Sequence, residues 1–261
     1  MPGSNEPDLM STMSPLSEFL IFTGIGALAQ LVDGALGMAY GVTSAGMLLG
    51  MGMPPALASA SVHYAETFTC GASGLSHWWA GNVQRRLFWV LAIPGVIGAV
   101  IGATLLAHLP PAWIRYFLTP YLLLMGLFLL FRTTQRKDRR TDVPRGTGLL
   151  GFIAGLLDAA GGGGWSALTV TTMVARGQEP RMVIGSVHLA KCIVSLAASI
   201  TFLLSIGESK LHVVLGLILG GVMAAPFGAW LVRRLPPRVT TLLAGLTVLS
   251  LGLYNFYRIL R

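Results

Sequence analysis

Asp33 and Asp158 stand in otherwise apolar sequence, within LVDGALGMAYG (31–41) and LLDAAGGGGWS (156–166). A carboxylate held away from water can carry a proton or bind Na⁺ while an anion sits nearby. Alternatively, each aspartate serves as a turn residue that satisfies loose backbone N–H groups. A second polar set follows each stretch: Ser61, His63, Glu66 and Thr67, then Ser186, His188 and Lys191. His63 and Glu66 are three residues apart and so share a helix face. Two chemistries fit this set. His63, His188 and Lys191 attract an oxyanion, with histidine changing charge near neutral pH, or Glu66 and Lys191 form a structural bridge beside two hydrogen-bonded histidines.

The two sets are copies of one unit. Sliding the sequence by 125 residues aligns 33–74 with 158–199 without a gap. Asp33 then falls on Asp158, Gly37 on Gly162, Pro55 on Pro180, SVHYA (61–65) on SVHLA (186–190), and Glu66 on Lys191. After a one-residue slip, LPP at 109–111 matches LPP at 235–237. The chain therefore divides into a tail (1–15), a first repeat (16–131), a basic linker (132–145) and a second repeat (146–261). Each repeat holds five apolar segments, at 16–32, 38–52, 55–79, 87–108 and 113–131, then 147–157, 164–175, 182–206, 211–232 and 239–257. Crossing the hydrocarbon core takes roughly 20 helical residues. The last three segments of each repeat reach that length, whereas the opening pair is short and broken by glycine.

Composition places these segments in a membrane. The chain is 54 % hydrophobic and 11 % charged, with a mean hydropathy of +0.70, against about 25 % charged residues in soluble domains. Its net charge of +8 sits in the joints between segments rather than on a nucleic-acid face. With 132–145 in the cytoplasm, Arg85, Arg86, Arg176, Arg181, Arg233, Arg234 and Arg238 also fall inside, and only Arg115, Lys210, Arg258 and Arg261 fall outside. That bias follows the positive-inside rule and puts the N-terminus outside. It requires an odd number of crossings per half, so the expected fold is an all-α, multi-pass membrane protein of two inverted-topology repeats. Trp78, Trp79, Trp89 and Trp113 read as interfacial lipid anchors, and Cys70 and Cys192 as packing residues.

In inverted-repeat transporters, substrate commonly sits near the bilayer midplane where helices are interrupted. If 31–41 and 156–166 are hairpin tips, Gly37 and Tyr40 in one half, and Gly161, Gly162, Gly163, Gly164 and Trp165 in the other, lie where a short helix starts. Free N–H groups and the positive pole of a helix dipole there suit a small anion. Two glycine patches for helix packing are the simpler account, but four consecutive glycines exceed what packing needs and weaken a continuous helix. Substrate contacts are expected from these residues with Ser61, His63, Ser186, His188 and Lys191, and proton or ion coupling from Asp33, Glu66 and Asp158.

These stretches also carry a family resemblance. GALGMAYGVTSAGMLLGMGMPPALASASVH (34–63) and GLLGFIAGLLDAAGGGGWSALTVTTMVARGQEPRMVIGSVHLAK (148–191) resemble the sulfite exporter TauE/SafE family of bacterial membrane proteins. The resemblance spans nearly the whole chain and rests on glycine and small-residue patterns. It implies transport of sulfite or related sulfur-containing anions across the bacterial inner membrane. It assigns no role to His63, Glu66 or Lys191.

The leading expectation is a secondary transporter that exports sulfite or a small sulfonate, driven by protons or the membrane potential. No nucleotide loop GxxxxGK[ST] or metalloprotease motif HExxH occurs, and no cofactor, metal or nucleic-acid partner is expected. The alternative is a carrier or channel for Na⁺ or a divalent metal, using the intramembrane Asp, Glu and His residues. A membrane enzyme with His63 or His188 as acid–base group lacks a nucleophile–base–orienter set. Partners are the sulfur anion and membrane lipid; oligomeric state is not legible.

Overall fold

The computed structural model describes residues 14–36, 40–110, 142–207 and 210–232, with scattered helical positions between 119 and 131 and between 242 and 257. Gly37, Trp113, the tail 1–13, most of the linker 132–145, and Arg115, Arg233, Arg234, Arg238, Arg258 and Arg261 lie outside the described residues. So do large parts of segments 113–131 and 239–257.

Among the described residues, the regular elements are α-helices. They are α1 (Pro15–Leu36), α2 (Tyr40–Gly50), α3 (Pro55–Trp79), α4 (Arg85–His108), α5 (Thr147–Gly161), α6 (Trp165–Ala175), α7 (Pro180–Ile206) and α8 (Leu211–Val232). Local chemistry sets many of these bounds. Ser14 caps α1, its Oγ accepting the Ser17 N–H at 3.2 Å. Proline opens α1, α3 and α7, where a missing N–H costs nothing. Gly207, at φ +79°, ends α7.

α4 and the Met182–Ile206 part of α7 are long and apolar enough to cross a membrane. The 11-residue helices α2 and α6 cover about 16 Å each at 1.5 Å per residue, roughly half the hydrocarbon core. Asp33 and Asp158 lie inside the closing turns of α1 and α5, not beyond the helices as the segment bounds 16–32 and 147–157 place them.

Three helix pairs form the core. α1 runs alongside α8 in the same direction, with Glu18 against His212 and Thr23 against Gly220. α4 and α5 are likewise parallel, with Leu91 against Gly151 and Gly95 against Gly155. α3 and α7 run antiparallel, as Gly74 meets Leu189, Gly71 meets Cys192 and Thr67 meets Ser199. Under the 125-residue shift, α1 corresponds to α5, α2 to α6, α3 to α7 and α4 to α8. The pairs α1–α8 and α4–α5 therefore exchange, and α3–α7 maps onto itself.

Glycine makes the α4–α5 contact as close as it is. A Cβ on Gly155 would stand 2.2 Å from the Gly95 carbonyl oxygen. The exchange extends to rings: the Trp165 ring lies over Gly95, and the Tyr40 ring over Gly221.

Candidate functional site

The break after α5 organises the site. The chain turns through Gly162, at φ +71°, and the Gly163 N–H returns to the Asp158 carbonyl at 2.9 Å. Gly163 abuts the first turn of α2, where a Cβ would stand 2.2 Å from the Val42 nitrogen. Asp158 spans the break, because its Oδ1 accepts the Trp165 N–H at 2.9 Å where α6 begins. Asp33 makes the same reach in the first repeat, accepting the Tyr40 N–H at 3.1 Å. Each aspartate thus satisfies one free donor at a helix start.

The second oxygen of Asp158 enters a buried charge cluster. Oδ2 meets His63 Nε2 at 3.1 Å and is in direct contact with Lys191 Nζ. Lys191 Nζ also lies 2.8 Å from Glu66 Oε2, which in turn accepts the Ser195 hydroxyl at 3.4 Å. Asp158 and His63 are 0 % exposed, Lys191 2 % and Glu66 3 %. Buried charges of this kind are tolerated only when paired and hydrogen-bonded.

Donor and acceptor roles fix the proton count. His63 Nδ1 lies 2.8 Å from the Ser59 carbonyl, which can only accept, so Nδ1 carries a hydrogen. Nε2 and Asp158 Oδ2 then need one further proton between them, since two acceptors do not bind each other. The Asp158–His63 pair is therefore neutral as a unit, and the Lys191 ammonium makes a second neutral unit with Glu66 when that carboxyl is ionised.

Beside this cluster is a cavity of about 10 Å³, lined by Asp33, Tyr40, Glu66, Gly164, His188 and Lys191 among others, with room for about one water-sized group. His188 Nδ1 is 2.8 Å from Ser73 Oγ, and its ring meets that of His77 edge-on.

The sequence candidates thus divide. His63, Glu66, Asp158 and Lys191 come together in the cluster, while Asp33, Tyr40, Glu66, Gly164, His188 and Lys191 reach the cavity. Gly161, Gly162 and Gly163 form the break, and Trp165 is fully buried with its indole N–H donating to the Val187 carbonyl. Ser61 is buried on α3 and is not among the cavity residues. Ser186 lies elsewhere, donating to the Met182 carbonyl and accepting the Gln84 N–H. Trp78, Trp79 and Trp89 are exposed, Trp78 under the Arg85 guanidinium.

Cys70, read from sequence as a packing residue, lines the cavity, as do Gly41 and Ser166. The repeat held the signal: the shift places Gly41 on Ser166, and Cys70 on the Ser195 that holds Glu66.

The family model described as sulfite exporter TauE/SafE matches residues 22–255. A Bacillus subtilis (strain 168) protein, the probable membrane transporter protein YtnM, is 41 % identical over 244 residues, covering 88 % of this chain and 80 % of that one. No solved structure matches the chain significantly. The extent of the family match and this identity together show that the chain belongs to the sulfite exporter TauE/SafE family.

Proposed function

We propose that this membrane transporter carries a small sulfur-containing oxyanion, sulfite or an organosulfonate, out across the bacterial inner membrane as a secondary transporter. The observation that carries the reading is the small polar cavity at the α5–α6 break, where Lys191 and His188 face a space beside buried carboxylates. The family description names sulfite export. Protons or the membrane potential supply the drive, with Asp33, Glu66 and Asp158 as coupling candidates. No catalytic step is assigned to any residue.

An inverted pair of five-segment repeats is supported by the antiparallel run of α3 against its counterpart α7. A cytoplasmic 132–145 linker is supported by the grouping of basic joints. Arg176 donates to the Arg145 carbonyl at 3.0 Å, and the Arg85/Arg86 joint reaches the opening turns of α7 through Gln84 and Ser186. Glu18, Lys210 and His212 gather at the other end of α7, which supports an N-terminus outside.

A cation carrier is the second reading, favoured by Asp33 and Glu66 at the cavity wall. Lys191 weighs against it, because its ammonium already serves as the cation between the Glu66 and Asp158 carboxylates.

The test is sulfite flux in proteoliposomes, with an imposed pH gradient and without one. Flux that follows the gradient and falls in Asp158→Asn supports the reading. Absence of flux for sulfite, methanesulfonate and thiosulfate under both conditions refutes it, and flux inhibited by metal ions in place of oxyanions transfers support to the cation carrier.

A further inference from the structure

The two carboxylates on Lys191 are not equivalent. Asp158 is fully buried and held three ways, by the Trp165 N–H, His63 and Lys191. Glu66 lines the cavity, where its Oε2 meets Lys191 at 2.8 Å and the Ser195 hydroxyl at 3.4 Å, and its other oxygen rests against Gly41. A Cβ on Gly41 would stand 2.6 Å from Glu66 Oε1, so glycine there makes room for the carboxylate.

We infer that Glu66 is a tethered internal anion that competes with substrate for Lys191, so that each monovalent anion binding at Lys191 brings one proton onto Glu66. This rests on the anion-transport reading above. The cavity opens onto the one carboxylate–ammonium contact that an incoming anion can replace. When the anion takes the Glu66 oxygen's place beside Nζ, the displaced carboxylate has no cation left. A proton from the cavity solution converts it to the neutral acid. Charge is then the same before and after: Lys191 remains positive, the Asp158–His63 unit remains neutral, and one negative charge passes from Glu66 to the anion. Without the proton, the exchange leaves a net buried charge, which is costly in a membrane interior.

The groups facing Glu66 all enter this count. Lys191 comes from α7, Asp158 from α5, Tyr40 from α2 and Asp33 from α1, while His63 and Cys70 share its own helix. His188 also lines the cavity, and His212, the titratable residue of α8, is engaged by Glu18 at the helix end.

The test uses purified full-length protein and methanesulfonate, whose fixed single charge keeps its own protonation out of the measurement. Binding in weakly buffered solution should take up about one proton per anion, and affinity should fall about tenfold per pH unit, or about a hundredfold from pH 6 to 8. Glu66→Gln should bind with no proton uptake and a flat pH profile, and its flux should cease to follow a pH gradient. Wild-type binding without proton uptake overturns the inference and needs no variant to fold. Proton uptake that persists in Glu66→Gln also overturns it, assigning the proton to another group. If wild type neither binds nor moves methanesulfonate or sulfite, the anion-transport reading fails, and this inference with it.

Discussion

Lys191→Met tests whether the buried ammonium neutralises Glu66. In the structure Lys191 Nζ sits 2.8 Å from Glu66 Oε2 and contacts Asp158 Oδ2. Removing it leaves Asp158 with His63 and the Trp165 N–H, but leaves Glu66, 3 % exposed, with the Ser195 hydroxyl at 3.4 Å. Breaking a buried pair from one side costs about 3–5 kcal/mol, because the surviving charge is uncompensated. Glu66→Gln is milder. The amide oxygen still accepts from Lys191, which keeps Asp158 as its ion partner, so the loss is that of a weakened hydrogen bond, about 1–2 kcal/mol. In the double variant the two losses overlap, and the coupling should be about 1–3 kcal/mol. The assay is denaturant unfolding in mixed micelles followed by tryptophan fluorescence, with the three variants and wild type side by side. A Lys191→Met protein within about 1 kcal/mol of wild type would refute the charge accounting. So would a Glu66→Gln protein as destabilised as Lys191→Met.

The α4–α5 contact makes a paired prediction. Gly155→Ala places a Cβ 2.2 Å from a backbone oxygen that cannot swing away, whereas a Cβ at Gly148 meets nothing closer than 3.6 Å. Gly155→Ala should cost about 1–3 kcal/mol and Gly148→Ala nothing measurable, by thermal melting in detergent. At the other end of the fold, Lys210 is half exposed over the buried Glu18. Lys210→Ala alone should cost less than about 1 kcal/mol, and adding His212→Ala should cost more than both singles together, since Glu18 then loses both cations. In a Cys192→Ser background, a small thiol reagent should modify Cys70 through the cavity, and methanesulfonate should slow the modification, as read by mass spectrometry. Unaltered labelling would place methanesulfonate outside the cavity.

Local sequence determined the elements. Segments 55–79 and 211–232 coincide with α3 and α8, and the other described helices fall within a few residues of their expected bounds. Hydropathy, proline and glycine act over one or two turns, so a linear reading captures them. The 125-residue shift also determined which helices correspond, and with them the matching Asp33–Tyr40 and Asp158–Trp165 hydrogen bonds.

Only the tertiary structure decided what each copy does. Asp33 and Asp158 are equivalent in sequence, yet Asp33 reaches the cavity while Asp158 is sealed against His63 and Lys191. The same packing held Ser186 away from the cavity and brought Cys70 to its wall. Those outcomes depend on where α3, antiparallel to α7, sets its side chains against the α5–α6 break. Burial and pairing are sums over contacts from distant parts of the chain, so no single stretch of it contains them.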